Sequence, residues 1–415
     1  MKVVMCKKTI YIIILISTLY SQSYFNRIFG SDIQYGDARS MALAGTYVTT
    51  GTSSSVISRN PARLSYISDG EKGYSIDFQI NSRINSERRS IDILDSFGDF
   101  LAETDYVSNQ SSNFYGSFGF IASDKNPKKG QVGGGASITT LASFDYRYEE
   151  EVRYEESFDD GQSGSRDPLL GFNKYGSKGY IQLSSIGFGY SIYNEDEPAI
   201  SIGISVNSLS ESTVSDYIDV DTAFYSANTD YYVNFSKIKE NNTTYELPSA
   251  SYTAYSIEIP FTIHNNINAI VIAGEKEALL TSKDYSPYIL SNLSSLPAYI
   301  GYICPDANGE FTNLGCEEDL NDPSYVPDLT QGRFEYLLRG IEYYKPKKYT
   351  FGLRLQKHRT LIVLETVEEF YSDYDIRLND VSEYKIAFEH KFKIGSDIRM
   401  GLSYKEPLIN SLFSP

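Results

Sequence analysis

The sequence predicts an all-β protein: a transmembrane antiparallel β-barrel whose wall follows an N-terminal segment lodged in the interior. Three observations predict it. Apolar and polar residues alternate with period two over runs of about ten to eighteen residues, the mark of strands with two chemically different faces. Short turns alternate with long acidic connections along the chain. Tyr (36) and Phe (22) exceed what an ordinary core needs, as in barrels girdled by aromatic residues. A soluble secreted β-sandwich or β-solenoid also alternates, but its strands average about 5–6 residues around a dry core.

The chain opens with Lys2, Lys7 and Lys8, an apolar run from Ile10 to Leu19 broken only by Ser17 and Thr18, and small residues at Ser21 and Ser23. This describes a signal peptide over 1–23, cut before Tyr24. An uncleaved anchor is the alternative, although the run falls short of the roughly 20 residues a spanning helix needs. Cys6 precedes the apolar core, which argues against a lipoprotein anchor. Removing three lysines and no acid moves the formal charge from −17 to −20. Such a polyanion lacks the basic patches that phosphate contacts require, which excludes nucleic acid as a partner. Cys304 and Cys316 remain in one loop-like segment, and in an oxidising compartment they suggest a local disulfide. No histidine lies near them to favour a metal.

Residues 24–70 form the predicted hatch. "GDARSMALAGTYVTTGTSSSVISRNPARLSYI" (36–67) carries Ala, Gly, Ser and Thr where the strands carry Ile and Tyr. Small residues let backbone pack closely inside something. Asn60-Pro61 fixes a turn and withholds one donor, so Asn60, Pro61 and Ala62 are the candidate hatch residues. The alternative is an ordinary periplasmic leader to the first strand.

Residues 71–415 form the predicted barrel. In "QVGGGASITTLASFDYRYEE" (131–150), Val132, Ala136, Ile138, Phe144, Tyr146 and Tyr148 share one face. Ile186, Phe188, Tyr190 and Ile192 alternate with Gly187, Gly189 and Ser191, and Ile200, Ile202, Ile204 and Val206 with Ser201, Gly203, Ser205 and Asn207. About a dozen such segments occur, near 74–84, 113–122, 131–148, 180–193, 199–208, 229–238, 252–264, 267–274, 347–357, 360–371, 383–393 and 397–405. Turns at 123–130, 194–198, 264–266 and 393–396 are short, whereas 149–179, 209–228 and 275–346 read as long acidic extracellular loops. Acidic loops attract divalent cations shared with anionic lipopolysaccharide.

Two stretches have helical spacing instead: 90–103, with Ile91, Leu94, Phe97 and Leu101, and 332–344, with Phe334, Leu337, Leu338 and Ile341. Such loop helices either pack on the barrel rim or line an apolar site. On the second reading Phe334, Leu337, Leu338 and Ile341 are the candidate ligand-binding residues. No phosphate loop, metalloprotease pair or nucleophile–base set is present, so neither enzyme activity, nor a cofactor, nor a metal is expected. "PDANGEFTNLGCEED" (305–319) is rich in oxygen ligands but misses EF-hand spacing, leaving weak calcium binding as the lesser alternative to an acidic disulfide-closed loop.

The Asn60-Pro61-Ala62 segment, with Leu64 and the preceding "ARSMALAGTYV" (38–48), resembles the opening of the fatty-acid-transporter (FadL-type) outer-membrane family, which includes the PorV-like shuttle of type IX secretion. "DIRMGLSYKEPL" (397–408) resembles that family's late strand. Arg63 stands where the family has glycine. The resemblance implies a barrel of about 14 strands with a luminal hatch, in a bacterial outer membrane, passing hydrophobic or amphipathic molecules such as long-chain fatty acids. Its PorV-like branch implies instead a scaffold holding a secreted protein cargo; a general porin is a further alternative. Because "NSLFSP" departs from a terminal aromatic strand, one or two C-terminal strands are expected to be missing from this chain.

Overall fold

The computed structural model describes residues 30–33, 36–65, 72–94, 100–126, 130–153, 169–194, 197–226, 231–263, 266–283, 301–305, 311–312, 326–328, 341–372, 374, 378–393 and 395–408. The expected signal peptide lies outside them, as do Phe334, Leu337, Leu338 and Cys316.

A two-residue strand, β1 (Ser31–Asp32), precedes two short helices, α1 (Ala38–Ala42) and α2 (Tyr47–Thr50), and two 3-10 turns, Ser54–Ser58 and Pro61–Ser65. The wall follows: β2 (Lys72–Leu94), β3 (Phe100–Asn126), β4 (Gly130–Ser143), β5 (Tyr146–Arg153), β6 (Leu169–Lys178), β7 (Tyr180–Asn194), β8 (Glu197–Leu209), β9 (Ser212–Ser226), β10 (Tyr231–Leu247), β11 (Ala250–Ile263) and β12 (Asn266–Glu275). Small strands intervene at β13 (Ala278–Thr281), β14 (Gly301–Pro305), β15 (Phe311–Thr312), β16 (Val326–Asp328) and β17 (Glu342–Lys345). The wall ends with β18 (Lys347–Lys357), β19 (Thr360–Phe370), β20 (Val381–Lys391) and β21 (Asp397–Lys405).

All these pairings are antiparallel, and one sheet holds sixteen strands. Setting β1 aside and counting each broken pair once (β4 with β5, β7 with β6, β8 with β9, β11 with β10) leaves eleven strands across the sheet among the described residues. The sheet curls round residues 30–65. Asp77 on edge strand β2 accepts from Ser54, while a side chain on Gly401 of the other edge strand, β21, would meet the backbone of Leu43 and Ala44.

The outward face is apolar. Ile186 is 70% exposed, and Ile76, Phe118, Ile204, Ile257, Phe351, Ile386 and Leu402 are likewise exposed on neighbouring strands. An exposed apolar belt of that extent is costly in water and favourable in hydrocarbon. Tyr255, Tyr349, Tyr384 and Tyr404 line its upper border, and Gly274 sits between Tyr255 and Tyr349 in the register, leaving room for the Tyr255 ring to lie over it. Residues 349–357 of β18 cover about 26 Å along the strand. That matches the roughly 25 Å apolar band of outer-membrane barrels, before tilt.

Four expectations are corrected. Residues 90–94 and 100–103 are not helical: they pair as the tops of β2 and β3, with register shifts at Arg89/Ser90 and Ile93/Leu94 that disturb the alternation. Residues 342–344 belong to β17 rather than to a helix. Within the stretches 149–179 and 209–228, residues 149–153, 169–178 and 212–226 are strand, in β5, β6 and β9. Phe144 and Tyr146 are buried, because a register shift between Thr140 and Ala142 and a break after Ser143 reverse the alternation seen at Val132 and Ile138.

Candidate functional site

The interior has two layers, readable along single strands. The inward residues of β8 run Ser201, Gly203, Ser205, Asn207, Leu209; those of β7 run Ser191, Gly189, Gly187, Ser185, Leu183, Ile181. Small and polar residues therefore face the lower layer, and aliphatic ones the upper.

Residues 37–65 fill the lower layer. Asp37 caps α1, accepting from the Ser40 N–H at 2.8 Å, and reaches the Thr52 N–H at 3.1 Å. Inward glycines admit the backbone of this segment to the wall. A Cβ on Gly203 would lie 2.1 Å from the Ala62 nitrogen, and one on Gly133 2.0 Å from the Leu64 carbonyl oxygen. Gly189 and Gly401 likewise face the segment's backbone, while Gly119 and Gly352 make room for the Ser54 and Thr49 side chains.

Wall carboxylates grip the segment at successive points. Asp77 accepts from the Ser54 N–H (2.7 Å) and hydroxyl (2.9 Å). Glu365 accepts from the Thr49 N–H at 3.2 Å and from its hydroxyl. Glu389, almost fully buried, takes the Arg39 guanidinium at 3.0 Å and Arg399 at 3.0 Å. Lys385 donates to the Gly45 carbonyl at 3.2 Å and pairs with Glu365 and Glu383. Buried charges persist only with such partners, since an uncompensated one costs about 3–5 kcal/mol.

Asn60, Pro61 and Ala62 sit at the centre of this contact, all fully buried or nearly so. The Asn60 amide donates to the Val48 carbonyl at 2.7 Å and to Glu258 at 3.2 Å, linking α2 to β11. The Ala62 N–H donates to the Ser256 hydroxyl at 2.9 Å, and Pro61 packs on Gly189 and Gly203. Arg63 is buried and donates to the Thr49 carbonyl, tying the second 3-10 turn to α2. Replacing Asn60 by leucine should lower stability by about 1–3 kcal/mol, because Glu258 and the Val48 carbonyl lose a buried donor. Urea unfolding from vesicles checks this, and an unchanged midpoint would contradict the role given to Asn60.

The upper layer lies where neighbouring strands break together. Phe144 donates its N–H to Gly179, Ser210 to Gln182 and Lys276 to Thr253, bonds that bridge the interruptions between β4 and β5, β7 and β6, β8 and β9, and β12 and β13. There Leu141, Phe144, Ile181, Leu183, Leu209, Leu247, Tyr252, Leu280, Ile341 and Tyr343 form a buried apolar cluster. β13 and β17 pair into a ribbon that supplies Leu280 and Tyr343. Tyr343 meets Phe144 edge-on at 6.4 Å and donates to Asp32 at 2.9 Å, which ties the ribbon to the N-terminal segment. Beside the cluster, Lys345 pairs with Glu275 at 2.8 Å and lies over the Tyr252 ring. Lys348 and Lys405 share Glu369.

Of the four residues expected to bind ligand, Ile341 is described, and it lies inside this cluster. Phe144, Tyr252, Leu280 and Tyr343 were not anticipated; the "LASF" run at 141–144, where alternation fails, is the signal that marks the layer. Cys304 lies on β14. Among the described residues, no group of three or more His, Cys, Asp or Glu side chains is arranged to hold a metal ion, and no helix is long and apolar enough to cross a membrane.

No protein-family model matches the chain, and no curated protein matches it. Among solved structures it is similar to the crystal structure of a Pseudomonas aeruginosa FadL homologue, at 9% identity and a TM-score of 0.49, over 92% of this chain and 82% of that one. It is also similar to the crystal structure of the P. putida toluene transporter TodX, at 12% identity and a TM-score of 0.44, over 91% of this chain and 85% of that one. A TodX deltaS2S3 mutant, a monoaromatic hydrocarbon channel, gives the same identity and score over 91% and 84%. One of these structures bears the name of the family that the Asn-Pro-Ala segment resembles.

Proposed function

We propose that this chain is a bacterial outer-membrane protein that passes hydrophobic or amphipathic small molecules, long-chain fatty acids among them, with residues 24–70 as its hatch. The observation that carries the reading is the apolar layer above the polar one: Leu183, Leu209, Leu280 and Phe144 are fully buried inside the wall. A water-filled porin lines its interior with polar groups, whereas an apolar interior favours apolar cargo. The secretion-scaffold alternative rests on the long acidic connections 149–179 and 275–346, much of each of which lies outside the described residues.

The test is purification from outer membranes, mass spectrometry of copurifying lipid, and a planar-bilayer recording on the same sample. Bound long-chain lipid with near-zero conductance is the expected result. Steady open conductance without lipid would replace this reading by a porin, and a tightly held protein would replace it by a scaffold.

A further inference from the structure

The interior cations are paired: Arg39 and Arg399 with Glu389, Lys345 with Glu275, Lys348 and Lys405 with Glu369. The turns at the opposite, hatch-side end of β18–β21 differ. Lys357, Arg359, Lys391 and Lys393 are exposed or nearly so, and among the described residues no ion pair joins any of them to a carboxylate. Asp397, opposite Lys391 in the register, is taken by Arg399, so in a chain of net charge −17 these two adjoining turns carry an excess of cations over carboxylates among the described residues.

The two turns are held side by side. The Lys391 N–H donates to the Arg359 carbonyl at 2.9 Å, and the His358 N–H donates to the Asn266 side chain at 2.9 Å. Phe392, 41% exposed, sets its ring edge-on to His390 at 4.9 Å. Directly above, on the outward face, Ile362, Ile398 and Met400 are exposed. The cations therefore stand where the apolar band ends, with an aromatic ring at the boundary, the position from which lysine and arginine reach lipid headgroups.

We propose that this basic rim binds the phosphates of anionic glycerophospholipids in the leaflet on the hatch side. An acidic protein partner would also meet the charge, but it would give no reason for the exposed apolar strip that adjoins it. Short turns mark the periplasmic end of an outer-membrane barrel, so the leaflet in question is the inner one. The inference rests on the membrane reading above and goes beyond it: the rim tethers this sector of the wall, β18–β21, which also holds the Arg39–Glu389 and Thr49–Glu365 contacts to the hatch.

The experiment compares the full-length protein with a K357Q/R359Q/K391Q/K393Q variant. Both are reconstituted into phosphatidylcholine vesicles with and without phosphatidylglycerol, and retained lipids are counted by native mass spectrometry. All four positions are in exposed turns or at a strand end, and Lys347→Gln at the opposite border serves as the control. Wild type and K347Q should retain phosphatidylglycerol over phosphatidylcholine, and each rim cation removed should lower that preference by about fivefold. Equal preference in the rim variant, or none in wild type, overturns the proposal. Loss of the preference on adding inorganic phosphate at constant ionic strength also overturns it, by making the rim a free-anion site. Flotation with the vesicles separates the two readings: a protein that fails to float defeats the membrane assignment, and one that floats without lipid preference defeats the rim alone.

Discussion

Replacing Gly203 by valine should force residues 37–65 out of their seat and turn a silent protein into a conducting one. A Cβ at this position would stand 2.1 Å from the Ala62 nitrogen and 2.2 Å from the Pro61 carbonyl carbon. These are backbone atoms, so no side-chain rotation relieves the clash. Ordinary overpacking costs about 1–3 kcal/mol because neighbours shift by fractions of an ångström. Here the neighbour is itself fixed, since the Ala62 N–H is bonded to Ser256 and Asn60 to Glu258. The cheapest relief is to release the whole segment, which also breaks the contacts at Glu365 and Glu389. Ion conductance should rise at least tenfold, and trypsin should cut at Arg59 or Arg63 in the reconstituted protein. Gly116→Ala is the control: it lies on the outward face with its nearest neighbour at an ordinary 3.4 Å. A G203V protein that folds, stays silent and resists trypsin would show that the segment does not close the interior.

The outward face was legible in the sequence because lipid imposes one rule on it. Ile186 and Phe188, or Ile202, Ile204 and Val206, alternate with small residues, and the structure exposes each of them. The glycines opposite were harder to interpret. Period two places Gly187, Gly189 and Gly203 inward, but their purpose is visible only once the Pro61–Ala62 backbone is seen against Gly189 and Gly203 and the Ile57 and Leu64 side chains against Gly187. Where the solvent rule lapses, so does the reading. β9 carries Asp216, Asp219 and Asp221 among its apolar residues, and this obscured a strand that pairs over its whole length with β10. Ile91 and Leu94 fit a helical stripe equally well, and only pairing with Thr104 and Phe100 decides for strand. The ligand residues show the same limit. Ile341 enters the apolar layer beside Tyr343, whereas Phe144 reaches it through a change of register that periodicity cannot announce.

Changing Leu183 and Leu209 together to serine should let water through the upper layer and reduce passage of hydrophobic compounds at least tenfold. Both leucines are fully buried, and both continue inward rows that are already Ser, Gly and Asn two and four residues below. The double change therefore extends the polar face upward without altering which side of the wall each residue occupies. Truncating a buried leucine typically costs about 2–5 kcal/mol through lost burial and the cavity left behind. An apolar cavity stays dry, but hydroxyl groups on its wall give entering water the partners it needs. The interruptions at Gly179 and Ser210 border this layer, so hydration there loosens the packing of Phe144, Leu247 and Tyr343 rather than the apolar belt outside. Uptake of a labelled long-chain fatty acid into vesicles measures the first effect and single-channel recording the second, with heat-modifiable migration on gels reporting that the barrel is intact. An intact barrel with unchanged uptake and no new conductance would mean that the apolar layer is structural filling, and the route for hydrophobic molecules would have to lie elsewhere in the wall.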